Sequence, residues 1–304
     1  MNGKVRHSLR LTAMLYLLDY GAGNIQSLAN SLTKLGYTYE WVREPSDISK
    51  ADKLLFPGVG SFASAMDALH AKGYVEPLRA YIQSGKPLMG ICVGMQVLFE
   101  GSDESPGVQG LGIVPARVGR FATQDAFGRK AVPHMGWSLA NVVEWERCAD
   151  QRHELAKSYG MHDANPSHYY FVHSYRVAWD ANVAEWALTT TQYGNEIFVS
   201  SIQHANVFAT QFHPEKSGQA GLDLLAAWLR LEHVEPTTRV GRPVTSTEHM
   251  PTRRIVACLD VRSNDAGDLV VTKGESYDVR ERGEQDAGAS HVRNMGTVSY
   301  THLR

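Results

Sequence analysis

An α/β fold built on a mostly parallel central sheet is what this sequence predicts, and three observations carry it. Short apolar runs at residues 15–18, 53–56 and 88–91 each end in a turn that contains or adjoins glycine. The first run is followed by apolar residues at helical spacing. The second half then changes character, to short β-rich runs separated by turns. Strands that alternate with helical patterns need helices on both faces of a parallel sheet, and clustered short strands extend it in antiparallel fashion.

The elements follow in chain order. After the run at 15–18, the segment GAGN at 21–24 breaks the strand. Ile25, Leu28, Leu32 and Leu35 then mark one face of a helix that Gly36 stops. Residues 53–56 lead into Pro57, Gly58, Val59 and Gly60, and residues 88–91 lead into Cys92. Further on, residues 168–173, 184–190, 196–203 and 207–212 read as strands. Leu222, Leu225, Trp228 and Leu229 predict a closing amphipathic helix. Residues 233–252 are rich in proline and threonine and poor in apolar groups, which predicts a linker. A new apolar strand begins at 254.

Bulk properties narrow the function. The 304 residues suit one large α/β domain plus a fragment, or two modest domains, and 43% hydrophobic content supplies a core. The formal charge of -2 comes from 30 basic and 32 acidic residues spread along the chain. With no basic block, no nucleic-acid partner is expected. No run approaches the roughly 18 apolar residues of a membrane span, so no membrane partner is expected either. Cys92, Cys148 and Cys258 lack metal-ligand spacing and form no even-numbered disulfide set, which predicts a reducing, cytoplasmic setting. Residues 1–13 are basic and free of acids. They read as a leader outside the fold, or as part of a transit peptide for a plastid or other organelle.

The chemistry centres on Cys92. A lone cysteine is most often a small buried hydrophobe. This one sits at the tip of a predicted strand-to-helix turn, where free N–H groups favour thiolate over thiol and the N–H of Val93 faces a developing oxyanion. Gly90 and Gly94 give the turn room. Far downstream, His213 ends an apolar strand and Glu215 follows two residues later. A thiol, a base and an acid that orients the base are the parts of covalent acyl transfer. The turn at Pro57, Gly58, Val59 and Gly60 can swing a second peptide N–H toward the same oxyanion. Gln96, one helical turn beyond Cys92, faces the same pocket.

Taken in order, PGVG at 57–60, GICVG at 90–94 and HPE at 213–215 resemble the class I (triad) glutamine amidotransferases. The resemblance implies a flavodoxin-like domain with Cys92, His213 and Glu215 as catalytic residues and no metal or organic cofactor. It implies an oxyanion hole at Gly58, Val59 and Val93, and contacts to glutamine from Gly60, Gln96, His173, Ser174 and Tyr175. Finer motifs look like the glutaminase branch found in imidazole glycerol phosphate synthases: LDYGAGNI at 18–25, PHMGW at 133–137 and YFVHSY at 170–175. That likeness covers residues 14–232 and implies ammonia supply for histidine biosynthesis.

After the predicted linker, ACLDV at 257–261 and VVTKG at 270–274 look like the start of the cyclase, a (β/α)8 barrel that fungal and plant enzymes carry in the same chain. By resemblance Asp260 matches the first of its two catalytic aspartates and Lys273 its strand-one lysine. The implied partners are glutamine and that barrel. A barrel takes about 250 residues, so residues 253–304 read as its incomplete beginning, the chain reads as a truncated product, and cyclase turnover is not expected from it alone. The alternatives are the glutaminase of another class I amidotransferase and a non-catalytic fragment that binds a partner.

Overall fold

The computed structural model describes residues 13–21, 25–126, 128–145, 156–161, 167–231, 241–242, 260–263 and 269–272. The chain divides into two compact units, Met1–Pro251 and Thr252–Arg304.

The first unit begins with alternating strands and helices: β1 (Leu15–Leu18), α1 (Gln26–Lys34), β2 (Glu40–Val42), α2 (Pro45–Lys50), β3 (Lys53–Gly58), α3 (Phe62–Ala71), α4 (Val75–Gln83) and β4 (Leu88–Cys92). β2, β1, β3 and β4 lie side by side in parallel, with Gly58 opposite Cys92 at the carboxyl ends of their strands. β1, β3 and β4 are buried along their whole length, which is why they read as continuous apolar runs rather than alternating ones. α1 buries Leu28 and Leu32 at the spacing the sequence predicts, and Ser61 caps α3 by accepting from the N–H of Ser64.

A four-residue helix, α5 (Val93–Gln96), then leads to β5 (Phe99–Ser102), β6 (Val114–Arg120), β7 (Gln124–Asp125), β8 (Gly128–Arg129), β9 (His134–Leu139), β10 (Asn141–Val142) and β11 (Glu144–Trp145). After these come β12 (His168–His173), β13 (Tyr175–Ala178), β14 (Ala187–Tyr193), β15 (Glu196–His204), β16 (Val207–Thr210), a 3-10 turn at Pro214–Lys216 and α6 (Gly218–Arg230). β16 joins β4 in parallel, and β15 joins β16 in antiparallel fashion. The sheet therefore changes from parallel to antiparallel beside the strand that carries Cys92. β12 pairs with β9 as a separate ribbon.

Two expectations shift. The strand expected at 184–190 lies at Ala187–Tyr193, because the turn before it runs further than its composition suggests. In α6 the buried face includes Leu224, while Leu222 is only partly buried, so the apolar stripe is rotated from the one predicted. The helix expected after Cys92 is present and spans a single turn, Val93–Gln96. Leu111 and Val114 bond back to Val97 and Leu98, pulling the chain into β5 and β6 after one turn.

Lys53, at the start of β3, is buried and points its Nζ at the carbonyls of Trp228 (3.3 Å), Leu229 (2.6 Å) and Leu231 (2.5 Å). It thus satisfies orphan acceptors at the C-terminus of α6, where a cation is electrostatically favoured. Among the described residues no helix is long and apolar enough to cross a membrane. In the second unit, Asp260–Ser263 (β18) and Leu269–Thr272 (β19) pair in antiparallel fashion. Neighbouring barrel strands pair in parallel, so this hairpin is not by itself barrel architecture. β17 (Gly241–Arg242) pairs with β11, within the stretch expected to be a linker. The leader at 1–13 lies outside the described residues but for Ala13.

Candidate active site

Cys92 ends β4 with φ 55° and ψ -110°, a positive φ that a non-glycine residue rarely adopts. Such strain persists only where the surroundings impose it, and here neighbouring backbone does. A Cβ on Gly94 would run into the carbonyl of Phe56, one on Gly58 into the N–H of Gly94, and one on Gly90 against the carbonyl of Gly94. Three glycines therefore let β3, β4 and α5 stack backbone on backbone, and the chain must turn sharply at Cys92 to do so. The turn aims the thiol out of the sheet edge beside Gly58.

The antiparallel half brings His213 to the same place. Its N–H donates to the carbonyl of Tyr170 (2.9 Å), and the Ser217 hydroxyl donates to its carbonyl (2.6 Å). Pro214 starts the 3-10 turn, and α6 packs closely on it because Gly221 has no Cβ to meet the Pro214 carbonyl. This arrangement returns Glu215 toward the ring, where Oε1 lies 2.7 Å from His213 Nδ1. A carboxylate only accepts, so Nδ1 carries the proton and Nε2 is left for the sulfur. Burial pushes the imidazole down, but the adjacent Cys92 sulfur, through its charge and a hydrogen bond, and the Glu215 carboxylate outweigh it. The result is raised to about 10.

The expected substrate contacts are distributed unevenly. Gln96 is buried, and its Nε2 donates to the carbonyl of Tyr175 (3.1 Å) and to Gln211 Oε1 (2.9 Å). With both amide hydrogens committed, any hold on a substrate passes through its Oε1. His173 has Nδ1 2.8 Å from the Tyr175 carbonyl and Nε2 3.2 Å from His134 Nδ1, so the geometry gives its ring a bracing position rather than an open wall. The carbonyl of Ser174 accepts from the N–H of Phe121 (3.1 Å). Gly60 takes φ +94° with open space around it, which keeps the turn after Gly58 free of side-chain bulk. Val59 lines a small recess together with Pro57, Gly58, His213 and Glu215, so the turn and the imidazole–carboxylate pair share one wall. Val93 opens α5, whose first N–H groups have no intrahelical acceptor. Asp260 lies in β18, apart from this site in the sequence, and Lys273 falls outside the described residues.

The model of "Glutamine amidotransferase class-I" matches residues 16–229. The chain belongs to that family. The imidazole glycerol phosphate synthase hisHF of Emericella nidulans is 47% identical over 285 residues, covering 93% of this chain and 49% of that protein. The chloroplastic hisHF of Arabidopsis thaliana is 44% identical over 292 residues, covering 96% and 45%. The subunit HisH of Methanothermobacter thermautotrophicus is 41% identical over 218 residues, covering 72% of this chain and 98% of that subunit. The chain spans about half the length of the hisHF relatives it matches.

Three residues of this class I amidotransferase escaped the sequence reading. Tyr20, inside the motif at 18–25, is buried edge-on against Phe56 at 5.7 Å. Burial raises its phenol strongly, the nearby Val59 backbone lowers it, and Cys92 and Asp19 raise it further, so the hydroxyl keeps its proton beside the sulfur. His134, inside the motif at 133–137, bridges His173 and Ser138. Gln211, two residues before His213, has its Nε2 3.6 Å from Cys92 Sγ. The proximity of Gln211 to the histidine in sequence was the only available signal, and on a buried strand that position ordinarily reads as core.

Proposed function

We propose that this chain hydrolyses glutamine at Cys92 and passes the ammonia to a (β/α)8 cyclase for imidazole glycerol phosphate synthesis, in histidine biosynthesis. The observation that carries the reading is the meeting of a strained Cys92 with His213, whose other ring nitrogen is held by Glu215. The names of the hisHF and HisH relatives supply the pathway. They also favour it over another amidotransferase branch. In this reading residues 14–232 are the glutaminase, 233–252 join it to the cyclase, and 253–304 are the cyclase's opening, with Asp260 and Lys273 among its site residues. The setting is the cytoplasm, or a plastid where the leader directs import.

The Cys92 thiolate attacks the side-chain amide carbon of glutamine, forming a C–S bond and placing negative charge on the amide oxygen. N–H groups of Val93 and of the turn at Gly58 and Val59 receive that charge. His213 gives its Nε2 proton to the departing nitrogen, the C–N bond breaks, and ammonia leaves. The same nitrogen then takes a proton from water, which attacks the thioester and releases glutamate and the thiolate. Glu215 keeps the ring oriented throughout without taking the proton. Gln96 and the backbone around Gly60, Ser174 and Tyr175 hold the substrate's head group.

The test is ammonia release from glutamine with a cyclase barrel and its ribotide ligand supplied. Cys92→Ala is expected to lower turnover by roughly 10⁴-fold or more, as loss of a nucleophile does, with circular dichroism unchanged. Retained turnover removes Cys92 from its role. Brisk hydrolysis without the barrel would instead show that the cyclase does not gate the site.

A further inference from the structure

Gln211 directly follows β16, the strand that delivers His213, with its side chain fully buried and its backbone N–H bonded to the carbonyl of Ser200 (2.9 Å). Its amide bridges Gln96 on one side and the Cys92 sulfur on the other. Which end of the amide faces the sulfur decides what this contact does. An NH2 group stabilises a thiolate, whereas a carbonyl oxygen repels it.

That direction is fixed from outside the pair. The backbone carbonyl of Tyr175 can only accept. Gln96 approaches it to 3.1 Å, so Gln96 must present its NH2 there. The same nitrogen lies 2.9 Å from Gln211, whose facing atom must then be the acceptor, Oε1. Gln211 Nε2 is thereby turned to Cys92 Sγ at 3.6 Å, a hydrogen-bond distance for the larger sulfur atom.

A second arm meets the same carbonyl. His173 Nδ1 lies 2.8 Å from it and must donate, which makes His173 Nε2 an acceptor. His134 Nδ1 must then donate to His173, at 3.2 Å, and His134 Nε2 accepts from the Ser138 hydroxyl at 3.0 Å. This arm requires both rings to be neutral, and burial among Phe121, Phe171 and Phe198 keeps them so. One carbonyl therefore sets the polarity of a buried chain that runs from Ser138 to the nucleophile.

We propose that Gln211 is a positioning residue for Cys92. It holds the sulfur in its anionic form through an N–H···S bond, and the Tyr175 carbonyl, acting through Gln96, prevents its amide from turning over. The proposal rests on the reading of Cys92 as the nucleophile. His213 neutralises the thiolate from one side, and Gln211 supplies a second donor that does not titrate. A sulfur held by two donors is fixed in direction as well as in charge, which matters for attack on a planar amide.

The experiment is alkylation of the full chain by iodoacetamide across pH, read by mass spectrometry on the peptide that contains Cys92. That readout separates it from Cys148 and Cys258. Two variants are compared with the wild type. Gln211→Met keeps the length and removes the donor, and Gln211→Glu keeps an acceptor for Gln96 but turns an oxygen to the sulfur. The pH of half-maximal alkylation is expected to rise by about one unit in the first and by more in the second, since a lost donor and an added like charge both disfavour the anion. Thermal unfolding is followed alongside. Where a Gln211 variant does not fold, Gln96→Met carries the test, because freeing Oε1 lets the amide rotate and produces part of the same rise. Unshifted profiles in folded variants, with the wild type hydrolysing glutamine, overturn the role of Gln211 alone. A wild type that releases no ammonia even with the barrel supplied overturns the reading of Cys92 beneath it.

Discussion

Two buried histidine sites in this molecule are driven in opposite directions. His213, at the edge of the sheet, is raised to about 10, whereas His173 and His134, in the neighbouring aromatic cluster, are lowered to about 3 and about 2. Burial acts against the charged form in all three and is the largest influence on each. What differs is the company. His213 has a sulfur and a carboxylate within hydrogen-bond reach. His134 stacks on Phe171 and Tyr193 at 5.0 and 4.2 Å, faces His173, and has Lys130 nearby. His173 loses further through His213 and Arg176, with only the Tyr175 carbonyl in its favour. A sulfur and a carboxylate together reverse the cost of burial, so the charged ring is His213 alone of the three while its neighbours stay neutral and act as fixed hydrogen-bond geometry.

The largest effect that can break this comparison is removal of the charged ring. His213→Ala is expected to reduce glutamine turnover by about 10²–10⁴-fold, the usual worth of a positioned acid–base, measured as ammonia release with a cyclase supplied. It should also slow alkylation of Cys92 at neutral pH. A variant that loses turnover but alkylates normally would mean that His213 moves protons without holding the thiolate. Glu215→Gln is expected to be milder, about 10–100-fold, because it exchanges one charge-assisted hydrogen bond for a neutral one and leaves the base in place. Equal losses in the two variants would make the carboxylate more than an orienting group. His134→Gln, by contrast, should stay within about tenfold of wild type, since it alters only the far end of a neutral chain.

The parallel half of the molecule was the more legible in the sequence, and the same comparison explains why. Around Cys92 the architecture is made by backbone proximity, and backbone proximity requires glycine. Gly58, Gly90 and Gly94 therefore advertise the turn whether or not the reader knows the fold. The pairing of His213 with Glu215 was legible because Pro214 and a two-residue spacing fix it locally. The second arm was not. His134 and Gln211 work through partners 39 and 119 positions away, His173 and Cys92, and nothing in local periodicity separates a buried polar residue with such a partner from ordinary core. The length of α5 was not legible for a related reason. Its end is set by Leu111 and Val114, which return from a later segment to bond the chain after Gln96.

The smallest expected effects are on stability, and their signs differ at the two sites. For His134 and His173 the folded values lie below the ordinary 6.5. Between about pH 6.5 and pH 3 the unfolded chain therefore binds protons that the native one refuses. Stability is fully present above 6.5 and is lost as the pH falls toward 3, with a slope of up to about 1.4 kcal/mol per pH unit for each ring. Urea unfolding across this range should show His134→Gln with a shallower acid slope than wild type, even if its plateau is lower. An unchanged slope would mean that His134 is already protonated in the native state, and the donor–acceptor order from Ser138 to Tyr175 would fail with it. At His213 the sign is reversed, because its folded value is raised to about 10. Above pH 6.5 the native ring keeps a proton that the unfolded ring gives up, so stability is fully present below 6.5 and should fall as the pH climbs toward 10. Cys92→Ala removes the sulfur that helps to raise the ring, so the decline should end at lower pH and be smaller in total. A decline identical to wild type would show that Glu215 alone holds the charge on His213.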